Sequence, residues 1–371
     1  MFNETESPLS VDNNTPDKLV KTPAEIKDTV QALVKHCNAY ETPDDKKALW
    51  QLVNTLIPFF GICAMMIVSF SSAYWLTALL TIPASFFLVR IFIIQHDCGH
   101  GSFFTKRKWN NRVGRVMSVL TWTPYDFWRK THNMHHSASG NLDNRGFGAI
   151  ETLTIKEYEA LPENLQFWYR IYRNPYILLL LGTPFFIIVS QRFPSAKPFP
   201  FHDVKKHVSF QQIWKSVFGL NAVLFGVFGT LGLVFGFAPI LLSYLPIVIG
   251  TAWIGGWLFF IQHQFEEAHW ETHENWDYHE AAVMGSSYYD LNPVLQWLTG
   301  NIGLHHIHHL NAKIPNYMLQ SCMDANDTLK TLNRITLWES FKFAHLALWD
   351  EENRKMIRFK NAPLSPQAQA I

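Results

Sequence analysis

Two long stretches of this sequence contain no charged residue and no histidine. They run from residue 51 to 89 and from residue 216 to 262. A helix needs about 20 apolar residues to cross the hydrocarbon core of a bilayer, so each stretch is long enough for two crossings joined by a short turn. Charged residues make up only 16% of the chain, against about 25% in soluble domains. The sequence therefore predicts an all-α integral membrane protein with four transmembrane helices in two hairpins.

The predicted spans cover about residues 52–71, 74–95, 216–236 and 239–262. The two short turns carry no charge, whereas basic residues flank both hairpins at their other ends. These flanking residues are Lys46, Lys47, Arg90, Lys106, Arg107, Lys108, Arg112, Arg115, Lys205, Lys206 and Lys215. Because cytoplasmic flanks carry an excess of Lys and Arg, the turns are expected to face outward and both termini to lie in the cytoplasm.

The remaining segments divide the chain further. Residues 1–20 are polar and predict a disordered tail, and residues 21–48 predict an amphipathic helix on the cytoplasmic surface. The membrane domain is expected to cover residues 49–345, followed by a cytoplasmic tail at 346–371. A shorter apolar run, residues 176–190, is about 15 residues long, which suits an interfacial segment as well as a span. We expect an interfacial helix there.

Histidine is concentrated in three short groups. They are His96 and His100; His132, His135 and His136; and His305, His308 and His309. Residues three or four positions apart lie on the same side of an α-helix, so each group can present at least two imidazoles to one point. A buried neutral imidazole needs hydrogen-bond partners, and a charged one resists burial. The clustering therefore predicts metal binding rather than a role in packing.

Two of these groups contain adjacent histidines, which point about 100° apart on a helix. Such doublets suit two metal ions, and we interpret them as a binuclear centre. All the groups meet at one cytoplasmic face if residues 176–190 do not cross the membrane. The four cysteines form no C-x-x-C pair, which leaves an imidazole-rich site that suits iron, zinc, copper or nickel.

Acidic residues near these groups are candidates for orienting the histidine rings. A carboxylate that accepts a hydrogen bond from one ring nitrogen directs the other nitrogen toward the metal. The candidates are Asp97, Asp143, Glu266 and Asp277. Ordinary solvation is the alternative for each of them.

The pattern H-x3-H, H-x2-HH, H-x2-HH resembles that of the membrane fatty acid desaturases. The segment "GSSYYDLNPVLQWLTGNIGLHHIHHLNAKIPNY" is similar to bacterial and cyanobacterial acyl-lipid desaturases of the delta-12 type, and the resemblance covers roughly residues 50 to 345. The TGNIG and IPNY sequences that flank the third group favour desaturases over other families with the same histidine groups. The resemblance implies two iron ions held by eight or nine histidines. His263 is the first candidate for the additional ligand and His269 the second, whereas His306 is expected to support ring orientation or the fold.

The implied reaction is the oxygen-dependent insertion of a double bond into a fatty acyl chain. Unactivated methylene groups require a stronger oxidant than any side chain, and a metal centre that activates dioxygen supplies one. The substrate would be a membrane lipid or an acyl thioester. The electrons would come from a separate carrier such as a ferredoxin, because no flavin, nicotinamide or haem motif is visible. Lys106, Arg107 and Lys108, just after His100, are candidates for docking an acidic carrier.

Two other functions fit parts of this pattern. A hydroxylase or ketolase of the same superfamily, acting on an alkane or a carotenoid, would share every histidine and differ in its product. A histidine-rich metal transporter fits less well, because transporters usually place ionisable groups near the bilayer midplane and the two long stretches, residues 51–89 and 216–262, contain no charged residue or histidine. We therefore expect a multi-pass protein of the bacterial inner membrane, with both termini and the active site on the cytoplasmic side that the basic flanks indicate.

Overall fold

The computed structural model describes residues 23–145, 149–193 and 209–370. The predicted tail, residues 1–20, lies outside these ranges. In chain order, the helices of the first half are α1 (Pro23–Asn38), α2 (Asp45–Ser69), α3 (Tyr74–His100), α4 (Arg107–Thr121), α5 (Tyr125–His136), α6 (Ile155–Ala160), α7 (Glu163–Arg173) and α8 (Thr183–Ile188). Those of the second half are α9 (Phe210–Phe235), α10 (Phe237–His263), α11 (Tyr278–Met284), α12 (Pro293–Leu298), α13 (His305–Leu310), α14 (Asn316–Asp324), α15 (Asp327–Thr331), α16 (Leu337–Ser340) and α17 (Pro366–Ala370).

Four of these helices, α2, α3, α9 and α10, are long and apolar enough to span a membrane. They form two consecutive pairs, so the predicted architecture of two helical hairpins is confirmed. The helix α3 is central: half of its most apolar window is buried, against 17% for α9. Phe225 and Leu233 of α9 are more than four-fifths exposed. The α9 surface therefore faces the lipid, while α3 packs against α2 and α10 inside the bundle.

The boundaries of α2 and α3 follow from their local chemistry. The Asp44 carboxylate accepts hydrogen bonds from the backbone N–H groups of Lys46 and Lys47 at 2.8 and 3.2 Å, which caps the start of α2. At the end of α3, Gly101 adopts a left-handed conformation with φ of 79°, which favours glycine. The helix therefore stops immediately after His100, and both histidines of the first group lie in its last turns.

The segment predicted to be interfacial, residues 176–190, is helical but irregular. A π-helical turn at Tyr176–Gly182 leads into α8. Together with the following residues to Arg192, this segment is bent by 67° relative to α7. Such a bend is typical of a broken span or a re-entrant segment, and the interfacial position stays a prediction.

Most of the remaining helices, together with five short strands, form a cap at one end of the bundle, whereas α8 packs against α10. The strands are β1 (Leu153–Thr154), β2 (Tyr288–Asp290), β3 (Arg334–Thr336), β4 (Leu348–Asp350) and β5 (Lys355–Ile357). One sheet has the order β1-β4-β5, with β1 parallel to β4 and β5 antiparallel to β4, and a second sheet pairs β2 with β3 in parallel.

Both ends of the described chain differ from the sequence prediction. Residues 346–371 do not form a simple tail, because β4 and β5 belong to a sheet and Trp349 and Met356 are buried in a core cluster. The predicted helix at 21–48 is shorter, since α1 ends at Asn38 and α2 already begins at Asp45. Leu33 of α1 packs in a buried cluster of the cap, so this helix belongs to the folded core.

Candidate metal centre

Nine histidines converge where the bundle meets the cap. The first group occupies the last turns of α3, and His263 is the last residue of α10. The second group ends α5, and the third supplies three of the six residues of α13. Two long apolar helices and two cap helices thus present imidazoles to one region.

The nine side chains form two clusters. Cluster A consists of His96, His100, His132, His136 and His308. Cluster B consists of His135, His263, His305 and His309. In each cluster, one nitrogen from every ring lies within 4.8 Å of the others. Eight of the nine residues are buried, and His100 is half-buried.

Each adjacent doublet is divided between the clusters. His135 contributes to cluster B and His136 to cluster A, while His308 contributes to cluster A and His309 to cluster B. This division follows from the helical rotation of about 100° per residue. The pairs that share a cluster, such as His132 with His136, are separated by four positions and lie on one helix face.

The nitrogen positions fit metal ions better than hydrogen bonds between rings. The Nε2 atom of His136 lies 3.1 Å from Nε2 of both His132 and His308. In cluster B, Nε2 of His263 lies 3.1 Å from Nε2 of His135 and 3.0 Å from Nε2 of His305. A single N–H on the central ring can donate to only one of its two neighbours. By contrast, two ligands at right angles around a metal with bonds of about 2.1 Å are separated by about 3.0 Å.

Unpaired ring nitrogens support the same conclusion. Among the described residues, Nε2 of His100 and Nε2 of His309 are buried without a hydrogen-bond partner. Leaving a buried polar atom unpaired costs about 1–3 kcal/mol, and a metal ion in each cluster would remove that cost. Each cluster consists of imidazoles, a donor set that suits first-row transition metals.

Burial also favours the form of histidine that binds metals. Desolvation, reinforced by neighbouring imidazoles, holds the pKa of the cap histidines well below the usual value. These residues are His132, His135, His136, His305, His308 and His309. At neutral pH they are uncharged, and neutral imidazole is the form that coordinates a metal.

Two ligand candidates, one in each cluster, are oriented by a partner on Nδ1. In cluster A, Nδ1 of His96 lies 2.9 Å from Oδ1 of Asp97, as expected for an orienting carboxylate. In cluster B, Nδ1 of His263 lies 3.2 Å from the carbonyl oxygen of Gly285. A Cβ on Gly285 would come within 2.6 Å of the Ala281 carbonyl. Gly285 was missed in the sequence, where its only signal is the glycine of "MGSSYY".

Three of the four acidic candidates make no hydrogen bond to a clustered histidine in the part of the chain that the structure describes. Asp143 accepts a hydrogen bond from the backbone N–H of His273 at 2.8 Å. The Asp277 carboxylate accepts hydrogen bonds from the backbone N–H groups of His279 and Glu280, both at 2.9 Å, and so caps the start of α11. Glu266 is exposed. Proximity in sequence suggested these residues, and their role in orienting a ligand stays a prediction.

His269 and His306 lie outside both clusters. His269 lines a small cleft of about 30 Å³ beside His135 and His263 of cluster B. Nε2 of His306 lies 3.0 Å from the carbonyl oxygen of Leu329, and burial lowers the pKa of His306 to about 4. His306 therefore links α13 to α15. The position in cluster B belongs to His263, the first candidate for the additional ligand, and not to His269, the second.

The three basic docking candidates lie at the start of α4. Lys106, Arg107 and Lys108 are exposed. Arg107 also donates a hydrogen bond from Nη1 to the carbonyl oxygen of His100 at 3.2 Å. Arg107 thus supports the end of α3, while the two lysines project from the surface beside it.

Comparison with known proteins points to one family. The fatty acid desaturase family model matches residues 48–333. A fatty acid desaturase of Bacillus subtilis (strain 168) is 41% identical over 336 residues, which cover 90% of this chain and 92% of that protein. The matched region contains all nine clustered histidines.

More distant relatives carry more specific names. An sn-1 acyl-lipid omega-3 desaturase (ferredoxin) of Nostoc sp. (strain 36) is 27% identical over 240 residues, which cover 63% of this chain and 63% of that protein. A chloroplastic sn-2 acyl-lipid omega-3 desaturase (ferredoxin) of Arabidopsis thaliana is 25% identical over 86% of this chain and 70% of that protein.

Proposed function

The chain belongs to the fatty acid desaturase family, and on this premise we propose that it desaturates acyl chains of membrane lipids with two iron ions, dioxygen and an external electron carrier. As a member of the family, the protein is an enzyme that introduces double bonds into fatty acyl chains. The metal, the lipid class, the carrier and the orientation in the membrane are the proposed parts.

The observation that carries this proposal is the pair of buried, all-histidine clusters at the membrane end of the cap. The clusters share α5 and α13, each of which supplies histidines to both. Two metal sites built on the same helices are held at a fixed separation. Such an arrangement suits a reaction in which two metal ions act together.

The chain's own residues would bind the ions, orient the ligands and limit access of water. Cluster A would hold one iron ion and cluster B the other. Iron bound there would supply the activation of dioxygen that unactivated methylene groups require. The Trp128 ring stacks on His132 with 4.6 Å between centroids, and Phe259 lies 5.5 Å from His135 and 5.7 Å from His263. These aromatic rings cover the ligands and keep the centre apolar.

We infer a membrane lipid as substrate for two reasons. The relatives from Nostoc and Arabidopsis are named acyl-lipid desaturases. In addition, the spans that carry His96, His100 and His263 have lipid-exposed neighbours, so an acyl chain already in the bilayer is close to the clusters. Removing two hydrogens from that chain leaves a double bond, and dioxygen is reduced to two waters.

The balanced reaction requires two further electrons and two protons. The same relatives are named with ferredoxin, which supports an acidic carrier of this type for the present chain. We retain Lys106, Arg107 and Lys108 as the docking candidates, since they are exposed and follow α3 directly.

We further propose that residues 49–345 form the catalytic domain and that the clusters face the cytoplasm of a bacterium. The basic flanks support this orientation. Cysteines introduced at Ser72 and Ala238 should then react with an impermeant maleimide added to intact cells, and one at Glu352 should react only after lysis. Labelling of the Glu352→Cys variant in intact cells would reverse the orientation.

Expression in a host that lacks the product tests the activity directly. The host's lipids should gain unsaturated acyl chains, and the gain should disappear without oxygen or under iron limitation. Mass spectrometry of intact phospholipids, sampled during a block of new fatty acid synthesis, should show desaturation of pre-existing lipids. Hydroxylated or oxidised chains without new double bonds would contradict desaturation, and new double bonds confined to thioesters would contradict the lipid substrate.

A further inference from the structure

The IPNY segment, residues 314–317, connects the cap to the first two spans through Asn316. This residue is the first of α14 and only 1% exposed. Its backbone N–H donates to Oδ2 of Asp97 at 2.6 Å, and its side-chain Nδ2 donates to the same oxygen at 2.8 Å. Its backbone carbonyl accepts from Asn301 at 3.0 Å. A buried asparagine with this many partners has a defined orientation.

The two oxygens of Asp97 have separate tasks. Oδ2 accepts both N–H groups of Asn316, while Oδ1 faces Nδ1 of His96 at 2.9 Å. With two donors on one oxygen, the carboxylate is held as an acceptor, so the proton between Asp97 and His96 belongs on Nδ1. The lone pair of His96 is then on Nε2, the nitrogen that remains for cluster A.

The side chain of Gln51, in α2, determines which way the Asn316 amide points. Nε2 of Gln51 donates to Oδ1 of Asn316 at 2.8 Å, and Gln51 is only 3% exposed. Since the oxygen of Asn316 is held by Gln51, its NH₂ group faces Asp97. In the reverse orientation the Oδ1 atom of Asn316 would face the Oδ2 atom of Asp97, and two acceptors would meet without a hydrogen between them. One hydrogen-bonded chain therefore runs from the first span through Asn316 and Asp97 to His96.

We propose that Asn316 and Gln51 are positioning residues for the metal ion of cluster A: they hold the Asp97 carboxylate so that His96 presents Nε2 to the ion. The proposal rests on the proposed function, because it requires a metal in cluster A. It assigns a role to the asparagine of the IPNY segment, which lies outside both clusters.

The proposal predicts an effect confined to one of the two ions. His263 of cluster B is oriented instead by the neutral carbonyl of Gly285, and within the described residues no hydrogen bond joins Gly285 to Asn316. Loss of a partner behind a metal ligand commonly costs 10- to 100-fold in metal affinity. Asn316 variants should therefore weaken the ion of cluster A and leave the ion of cluster B unchanged.

Iron release from the purified full-length protein in nanodiscs tests this. The protein is loaded with Fe²⁺, and release to a coloured chelator is followed anaerobically. In Asn316→Ala, one of the two ions should leave about tenfold faster than in the wild type, while the other keeps its rate. Mössbauer spectra of ⁵⁷Fe-loaded protein should likewise show a change in only one of two iron signals.

Two further variants separate positioning from folding. Gln51→Glu keeps the size of the side chain but turns the donor into an acceptor, so it should also speed the release of one ion. Tyr317→Phe removes the hydroxyl that bonds Phe103 and Asp44 in the same segment; it can lower stability but should leave both release rates unchanged.

Three results would overturn the inference, and they differ in scope. Wild-type release rates in both Asn316→Ala and Gln51→Glu would remove the positioning role. An equal acceleration in Tyr317→Phe would reduce that role to general stability. A wild-type chain that binds no iron would overturn the proposed metal centre as well.

Discussion

Clusters A and B are built from overlapping helices but are supported differently. Cluster A takes histidines from α3, α5 and α13, and the charged side chain of Asp97 supports one of them. Cluster B takes histidines from α5, α10 and α13, and a neutral backbone carbonyl supports His263. Only cluster B borders the cleft of about 30 Å³ that includes Arg145 and His269 in its lining. The two metal positions are thus chemically unequal, although each consists entirely of imidazoles.

This difference shows that a group of histidines in the sequence does not correspond to a single metal site. The second and third groups each supply histidines to both clusters, because neighbouring residues on a helix point in different directions. The first group supplies histidines to cluster A alone. Cluster B is completed by His263, which belongs to none of the three groups. Replacing one of two neighbouring histidines should therefore remove a different metal ion than replacing the other.

The largest expected effects come from His308 and His309, which are adjacent but belong to different clusters. Glutamine at either position should reduce desaturation by at least about 100-fold, the upper range for the loss of support at a metal site, because each change removes a ligand itself. Iron analysis should show one ion lost from cluster A in the first variant and one from cluster B in the second. Loss of the same ion in both variants would contradict the division of the doublet.

His263 and His269 provide the next comparison, since both were candidates for the additional ligand. His263→Ala should remove the ion of cluster B and abolish desaturation. His269→Ala should retain both ions, because His269 lines the neighbouring cleft without joining the cluster. Product analysis and iron content are measured on both variants side by side. A fully active His263→Ala protein would place the ligand elsewhere.

Asp277 tests a smaller effect on the cap alone. It caps α11 through the backbone N–H groups of His279 and Glu280. Asp277→Ala should therefore cost about 1 kcal/mol of stability, seen as a modest fall in the thermal transition of the purified protein, with iron content and activity per folded chain unchanged. A matched loss of iron would support the predicted role of this residue in orienting a ligand.

Much of the architecture follows from features that are local in the sequence. The uncharged runs predicted both hairpins, and the four-residue spacing predicted which side of each helix carries the imidazoles. The 100° rotation between neighbours predicted that doublets would reach two metals. These features required no knowledge of how distant segments meet.

The parts that were missed depend on long-range contacts or on backbone atoms. Asn316 lies 219 positions from Asp97, and nothing local relates the two. Gly285 acts through its backbone carbonyl, a group that every residue has, so the glycine of "MGSSYY" does not reveal the contact. Asp143 and Asp277 are close to histidines in sequence, but the Asp277 carboxylate accepts from the N–H of His279 in its own turn, and the Asp143 carboxylate accepts from the N–H of His273, 130 positions away. The strands β4 and β5 are three residues long, too short for a clear alternating pattern.

The smallest expected effect concerns the side from which electrons arrive. Lys106 and Lys108 follow the helix that carries His96 and His100, so a carrier docked there would approach cluster A. Attraction between exposed charges speeds encounter and is screened over about 8 Å at physiological ionic strength. Arg107 is unsuitable for the test because it also bonds the carbonyl of His100, and a change there would disturb cluster A directly.

Lys106→Glu combined with Lys108→Glu should therefore raise the ferredoxin concentration for half-maximal turnover by a few-fold at low salt. The maximal rate and the iron content should not change, because neither lysine contacts a cluster. The difference from the wild type should shrink as salt is added. Lys342→Glu with Lys360→Glu, an exposed pair elsewhere on the cap, provides the control with the same change in net charge. If both double variants respond alike, the effect reflects overall charge, and the carrier docks away from the end of α3.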